Sequence, residues 1–121
     1  MTISTISSSA QLLAPKVKVD DLKTRKAKLA ALAKTLNQLW QQADELIERH
    51  NYSDAIALFD KIIVLQPHSV SAWHQRGNSF ANLGQYESAI TSYNQALRIK
   101  PLHFVVRLEK TMLQIFLGIF G

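Results

Sequence analysis

The chain has 121 residues, of which 47% are hydrophobic and 19% charged, enough for one small domain with an apolar core and too few for several. Fourteen Lys and Arg stand against nine Asp and Glu, a net charge of +5 that invites a nucleic-acid reading. No cysteine is present, which excludes a disulfide scaffold, a cysteine nucleophile and a thiolate metal site; 4 Gly and 3 Pro suit a helical protein better than a turn-rich β fold.

The charge is unevenly placed. Residues 1–35 carry Lys16, Lys18, Lys23, Arg25, Lys26, Lys28 and Lys34 against Asp20 and Asp21, which accounts for the whole excess; residues 36–121 hold seven basic and seven acidic residues. The two parts therefore call for separate readings. Residues 1–19 are rich in Ser and Thr, contain no acid, and show no sustained apolar period, so a disordered tail is expected. The run lacks the basic and apolar regions of a secretory signal, and its shortage of arginine argues against a transit peptide; a cytoplasmic location is the expectation.

From Asp20 or Asp21, either suited to an N-cap, the chain reads as one long helix without Gly or Pro until beyond Asn51. Leu22, Leu29, Leu36 and Ala43 recur every seven residues, with Leu32, Leu39 and Leu46 in the second apolar position and Arg25 interrupting the stripe. Residues 20–35 form its basic half, and Asp44, Glu45 and Glu48 make the other half acidic.

An internal repeat follows. An offset of 34 residues pairs Tyr52 with Tyr86, Ala55 with Ala89, Ile56 with Ile90, Phe59 with Tyr93, Ile63 with Leu97, and Pro67 with Pro101. Each unit ends at a proline that cannot continue a helix, and each is divided by a polar break, His50-Asn51 in the first and Gly84-Gln85 in the second. The pattern predicts two units, 36–69 and 70–103, each a helical hairpin, followed by a partial third unit over 104–121. The fold class is all-α, an α-solenoid of stacked antiparallel hairpins.

At these residues the sequence resembles the tetratricopeptide repeat family, whose pattern runs W-x₂-L-G-x₂-Y, then A-x₃-F, then P. Trp73, Gly77 and Phe80 fit the first helix of the second unit, Ala89, Tyr93 and Ala96 its second helix, and Pro101 the stop. Arg76 stands where the pattern has Leu, and its aliphatic stem is expected to pack. In the first unit Leu39 takes the Trp position, with Trp40 displaced by one, and Ala43 replaces Gly.

The resemblance implies a groove lined by first helices that receives a peptide or helix of a partner protein. Carried over position by position, its lining is Asn37, Trp40, Asp44, Ile47 and Glu48 in unit one, and Ser71, His74, Asn78, Ala81 and Asn82 in unit two. In the half unit the matching positions are Val105, Leu108, Met112, Ile115 and Phe116. By the same resemblance Asn78 is expected to hydrogen-bond an extended backbone through its amide. Relatives that bind chaperones grip a terminal carboxylate with lysines and an arginine, but those positions hold Asn37, His74, Val105 and Glu109, which do not make such a clamp.

The C-terminal stretch departs from the family. Phe104–Leu117 aligns with a first helix, Leu117-Gly118 aligns with Leu83-Gly84, and 12 of the 20 residues from Leu102 to Gly121 are apolar. Such a helix leaves one apolar face uncovered, so a fragment of a longer array, a homodimer, or contact with a partner or membrane surface is expected; insertion across a bilayer is not, at about half a span.

No chemistry of an enzyme is visible. His50, His68, His74 and His103 show no helical i, i+4 metal spacing, Ser7, Ser8 and Ser9 lack a local base, and there is no Gly-rich phosphate loop. Catalytic, metal and cofactor sites are therefore not expected. The leading reading is a protein-interaction scaffold. The alternative gives the basic segment 16–34 to nucleic acid or an anionic membrane, with the repeats as an assembly platform.

Overall fold

A computed structural model describes residues 19–121. They form five α-helices, α1 (Val19–Glu48), α2 (Tyr52–Leu65), α3 (Val70–Asn82), α4 (Tyr86–Ile99) and α5 (Phe104–Phe120), and no strand occurs among the described residues. The tail expected over residues 1–19 lies outside the described residues except for Val19, and so do Lys16 and Lys18. Among the described residues no helix is long and apolar enough to cross a membrane.

The chain divides into two units, one ending at Lys34 and one spanning Thr35–Gly121. The described part of the first is the start of α1. Asp20 and Asp21 are helical residues in the first described turn of α1, Val19 onward, and do not cap it. Every residue from Val19 to Lys34 is exposed, including Leu22 and Leu29. The heptad stripe is thus buried only from Leu36 onward, where other helices supply a surface to bury it against.

In the second unit the repeat is visible in the hydrogen bonds. At the α3–α4 turn Gly84 N–H donates to Ala81 O at 3.0 Å and Gln85 N–H to Phe80 O at 2.9 Å. Thirty-four residues earlier His50 N–H donates to Ile47 O at 3.0 Å and Asn51 N–H to Leu46 O at 2.8 Å, the same cap at the α1–α2 turn. Gly84 has φ +76° and His50 φ +59°, so the first turn places a side chain in the left-handed region that the second reserves for glycine. A hydrogen bond of 2.9 Å between His50 Nδ1 and the Tyr52 hydroxyl helps hold it. The helix starts repeat as well. Ser69 Oγ accepts from Ala72 N–H at 3.2 Å to cap α3, and His103 Nδ1 accepts from Val106 N–H at 3.3 Å to cap α5.

Two core clusters fill this unit. Leu36, Ala43, Ala55, Phe59, Ile62 and Ala72 form one, with Trp40 packed edge-on to Phe59 at a ring separation of 5.8 Å. Ala89, Tyr93, Ala96 and Val106 form the other, lined by Trp73, Phe80 and Leu113. Small residues set the approach of α3 and α4. A Cβ at Gly77 would lie 2.5 Å from Tyr93 Cε1 and 3.2 Å from Ala89 O, so the missing side chain is the space the tyrosine ring occupies.

The C-terminal helix differs from the expectation that Leu117-Gly118 repeats the Leu83-Gly84 turn. α5 continues through Gly118 to Phe120, and Gly118 does not take a positive φ. The apolar residues after it prolong the helix, with the Phe116 and Phe120 rings 4.8 Å apart. Gly84 and Gly118 therefore make a matched pair, since neither has any atom within 4 Å of an added Cβ. Gly84→Ala is expected to lose about 1 kcal/mol through the left-handed backbone. Gly118→Ala is expected to gain up to about 1 kcal/mol through helix propensity. Urea unfolding of both variants checks the opposite signs.

Candidate binding groove

The expected groove residues of α3 meet residues of α4 and α5 in one polar ridge. Tyr93 comes from α4 and, seated over Gly77, brings its hydroxyl to Asn78, where it donates to Oδ1 at 2.6 Å. His74, one turn earlier on α3, lies 2.7 Å through Nε2 from Glu109 Oε2 of α5. A carboxylate can only accept, so Nε2 carries the proton. The His74 ring also packs edge-on to Tyr93 at 6.0 Å and to His103 at 5.7 Å. Residues separated by up to 35 positions thus share one cluster across three helices.

This cluster keeps the Tyr93 phenol protonated. Burial raises its pKa above the ordinary value of 10.0, and the negative charge of Glu109, together with its capacity to accept the phenol's proton, raises it further. With Oδ1 already accepting from Tyr93, the NH₂ group remains as the donor of the Asn78 amide. Asn82 Nδ2 donates to the Asn78 backbone carbonyl at 2.8 Å, which fixes that side chain along α3.

The other expected lining residues fall into two groups. Ser71 on α3 and Asn37, Asp44 and Glu48 on α1 are exposed. Trp40 and Ile47 are half-buried against the first core cluster, and Ala81 is half-buried against the second, so much of their surface is spent on packing. Lys23, Arg25, Lys26, Lys28 and Lys34 are exposed on the first part of α1. At 100° per residue they surround the helix, with Arg25 and Lys26 beside Leu22, so they do not segregate to one face.

Arg76 does more than pack its stem. Its Nε donates to Asp60 Oδ1 of α2 at 2.7 Å, and its Nη1 donates to the buried Ser92 Oγ of α4 at 2.8 Å. The guanidinium carbon lies 5.6 Å from the Trp73 ring centre and 4.9 Å from that of Phe80. The residue that departs from the repeat pattern therefore ties α2, α3 and α4 together. The sequence signal was a cation at an apolar position, with Asp60 sixteen residues before it.

Comparison with known proteins agrees with the geometry. A family model described as the tetratricopeptide repeat matches residues 70–102. A TPR repeat-containing protein of Rhizobium etli is 31% identical over 70 residues, which cover 58% of this chain and 34% of that protein. A TPR repeat-containing protein of Methanocaldococcus jannaschii is 28% identical over 72 residues, covering 60% and 23%. A tetratricopeptide repeat and J domain-containing co-chaperone of Cryptococcus neoformans is 28% identical over 64 residues, covering 53% and 12%. The chain thus spans about a third or less of the length of these relatives.

The Tyr93 environment generates a pH prediction. Above the ordinary value of 10.0 the unfolded chain releases the Tyr93 proton while the folded chain retains it. The corresponding stability is intact below that pH and is lost as pH rises beyond it, by at most about 1.4 kcal/mol per unit. Urea unfolding from about pH 9 to about pH 11 is expected to show a shallower decline for Tyr93→Phe than for the wild type. Parallel profiles would contradict the assignment.

Proposed function

We propose that this chain, whose residues 70–102 match the tetratricopeptide repeat, is a protein-interaction scaffold of that family, without catalytic activity, that receives a peptide or helix of a partner protein along the first-helix faces of its repeats. The observation that carries this reading is the position of Asn78. A core tyrosine orients its amide, and the His74–Glu109 pair flanks it, so a polar recognition group is held in place before any partner arrives. Ser71 and Asn82 on the same helix, and Asn37, Asp44 and Glu48 on α1, extend the polar lining.

The charges favour one class of ligand over another. Asp44 and Glu48 are exposed acids, and Glu109 sits at a position where a carboxylate clamp would need a cation. A segment that presents backbone groups and basic side chains suits this lining; one anchored by its terminal carboxylate does not. In affinity capture from the source cell, Asn78→Ala combined with His74→Ala is expected to reduce partner recovery by about tenfold or more, the scale of removing one buried hydrogen bond, while circular dichroism keeps its helical signal. Undiminished recovery with that variant would sink the reading.

A second reading rests on the exposure of the whole segment from Val19 to Lys34 with its five cations. It assigns the segment to a polyanion, either nucleic acid or an anionic membrane, with the repeats as a platform for assembly. Lys23→Glu with Lys26→Glu and Lys28→Glu is then expected to weaken binding to duplex DNA. On this reading the slope of log affinity against log salt becomes shallower by about 0.9 for each phosphate that the variant no longer neutralises. Affinity independent of salt rejects it for nucleic acid, and the same titration on vesicles containing anionic lipid covers the membrane case.

A further inference from the structure

Among the described residues, α5 carries nine of the exposed large hydrophobic side chains outside the cores, if Leu102 just before it is counted. Val105, Leu108, Met112, Ile115 and Ile119 follow one another in alternating steps of three and four residues, the spacing of a helix-to-helix seam. All five are exposed, from 46% at Val105 to 67% at Ile119. This stripe is not the side by which α5 joins its own chain. Val106 is fully buried, Leu113 packs on the second core cluster, and Phe116 meets Tyr86 at a ring separation of 5.1 Å. Nor does it copy the surface by which α3 receives α4. The positions equivalent to Trp73, Gly77 and Phe80 hold Arg107, Thr111 and Gln114, all exposed and polar. The apolar residues of α5 have been gathered onto a different face.

We propose that this stripe is the seam of a symmetric dimer, in which α5 of one copy packs along α5 of a second copy. The spacing fits a helix lying alongside, since steps of three and four keep all five side chains on one line. None of the five is charged, so an identical copy meets no like charge along the seam, as a two-fold interface built from one surface requires. The size also fits. With the exposed part of Phe104, the stripe presents on the order of 700 Å² of apolar surface, above the ~300–600 Å² of the largest patch on a typical monomer. A contact that buries most of it approaches the ~800 Å² that each partner contributes to a standard stable interface. The 17 residues of α5 span about 25 Å, long enough for all five side chains to take part. Val105, Leu108, Met112 and Ile115 are also the groove positions of the half unit, so the dimer covers that part of the lining, whereas Asn78 and His74 lie outside the seam and the two readings fail separately.

Sedimentation equilibrium on the full chain from about 1 to about 100 μM tests it, over a range suited to interfaces of this size. The wild type is expected to be a dimer. Leu108→Glu with Met112→Glu, which places two charges in the seam, is expected to raise the dissociation constant by at least about 100-fold, with unchanged circular dichroism and thermal midpoint. Ile115→Glu serves as a second variant should that pair fold poorly, and the volume-conserving exchange Leu108→Met with Met112→Leu is expected to leave the dimer intact. A monomeric wild type throughout the range overturns the proposal. So does a folded glutamate variant that self-associates like the wild type. Binding of a labelled amphipathic Leu/Lys helix to a monomeric wild type would assign the stripe to a different partner and equally overturn it.

Discussion

The seating of the Tyr93 ring over Gly77 is the contact on which the second unit depends. Any side chain at residue 77 would collide with the ring or with the Ala89 carbonyl, so α3 and α4 come as close as they do because one of them has no Cβ there. Once seated, the ring closes the second core cluster with Ala89, Ala96 and Val106, and its hydroxyl emerges at the rim. There it donates to Asn78, and the carboxylate of Glu109 beside it also takes the imidazole of His74. One close approach between two helices therefore fixes both the packing of the second repeat and the orientation of the polar ridge through which we propose that a partner is recognised.

The same constraint holds the polar ridge together. Tyr93 is buried, Asn78 and His74 are half-buried, and their partners come from α3, α4 and α5 together. Displacing any one of them exposes a polar group that the others satisfy. Arg76 performs the corresponding task on the side facing α2, where its guanidinium links Asp60 to Ser92 across two aromatic rings. Exposed apolar residues are concentrated elsewhere, on the outer line of α5 and on the first part of α1.

Much of this architecture could be read from the order of residues. Pro67 and Pro101 announced the ends of second helices, Gly84-Gln85 the break between two helices, and the alternation of Gly77 and Ala89 with Trp73 and Phe80 the close pairing of hairpins. What escaped depended on neighbours far along the chain. Nothing local distinguishes Glu109 as the partner of His74, because packing alone joins residues 35 positions apart. His50 gave no sign that it would take a glycine-like φ, since only the shared cap geometry with Gly84 requires it. The leucine stripe of α1 runs from Leu22 to Leu46 in sequence, yet burial begins at Leu36, where α2 and α3 supply the opposing surface. Gly118 looked like a second Gly84, but apolar residues follow it where Gln85 follows Gly84, and the helix runs on.

The charge that first suggested a nucleic-acid protein belongs to the segment before residue 36, while the ridge and both cores lie in a part with no net charge. Recognition, as proposed, falls to a neutral repeat core whose geometry follows from Gly77 and Tyr93. A nuclear Overhauser spectrum of the isotopically labelled chain probes that geometry without perturbing it. Cross-peaks are expected from the Gly77 Hα protons to the Tyr93 ring, and from that ring to the His74 imidazole. A Tyr93 ring that shows cross-peaks only within its own helix would contradict the seating of the ring and, with it, the orientation of Asn78.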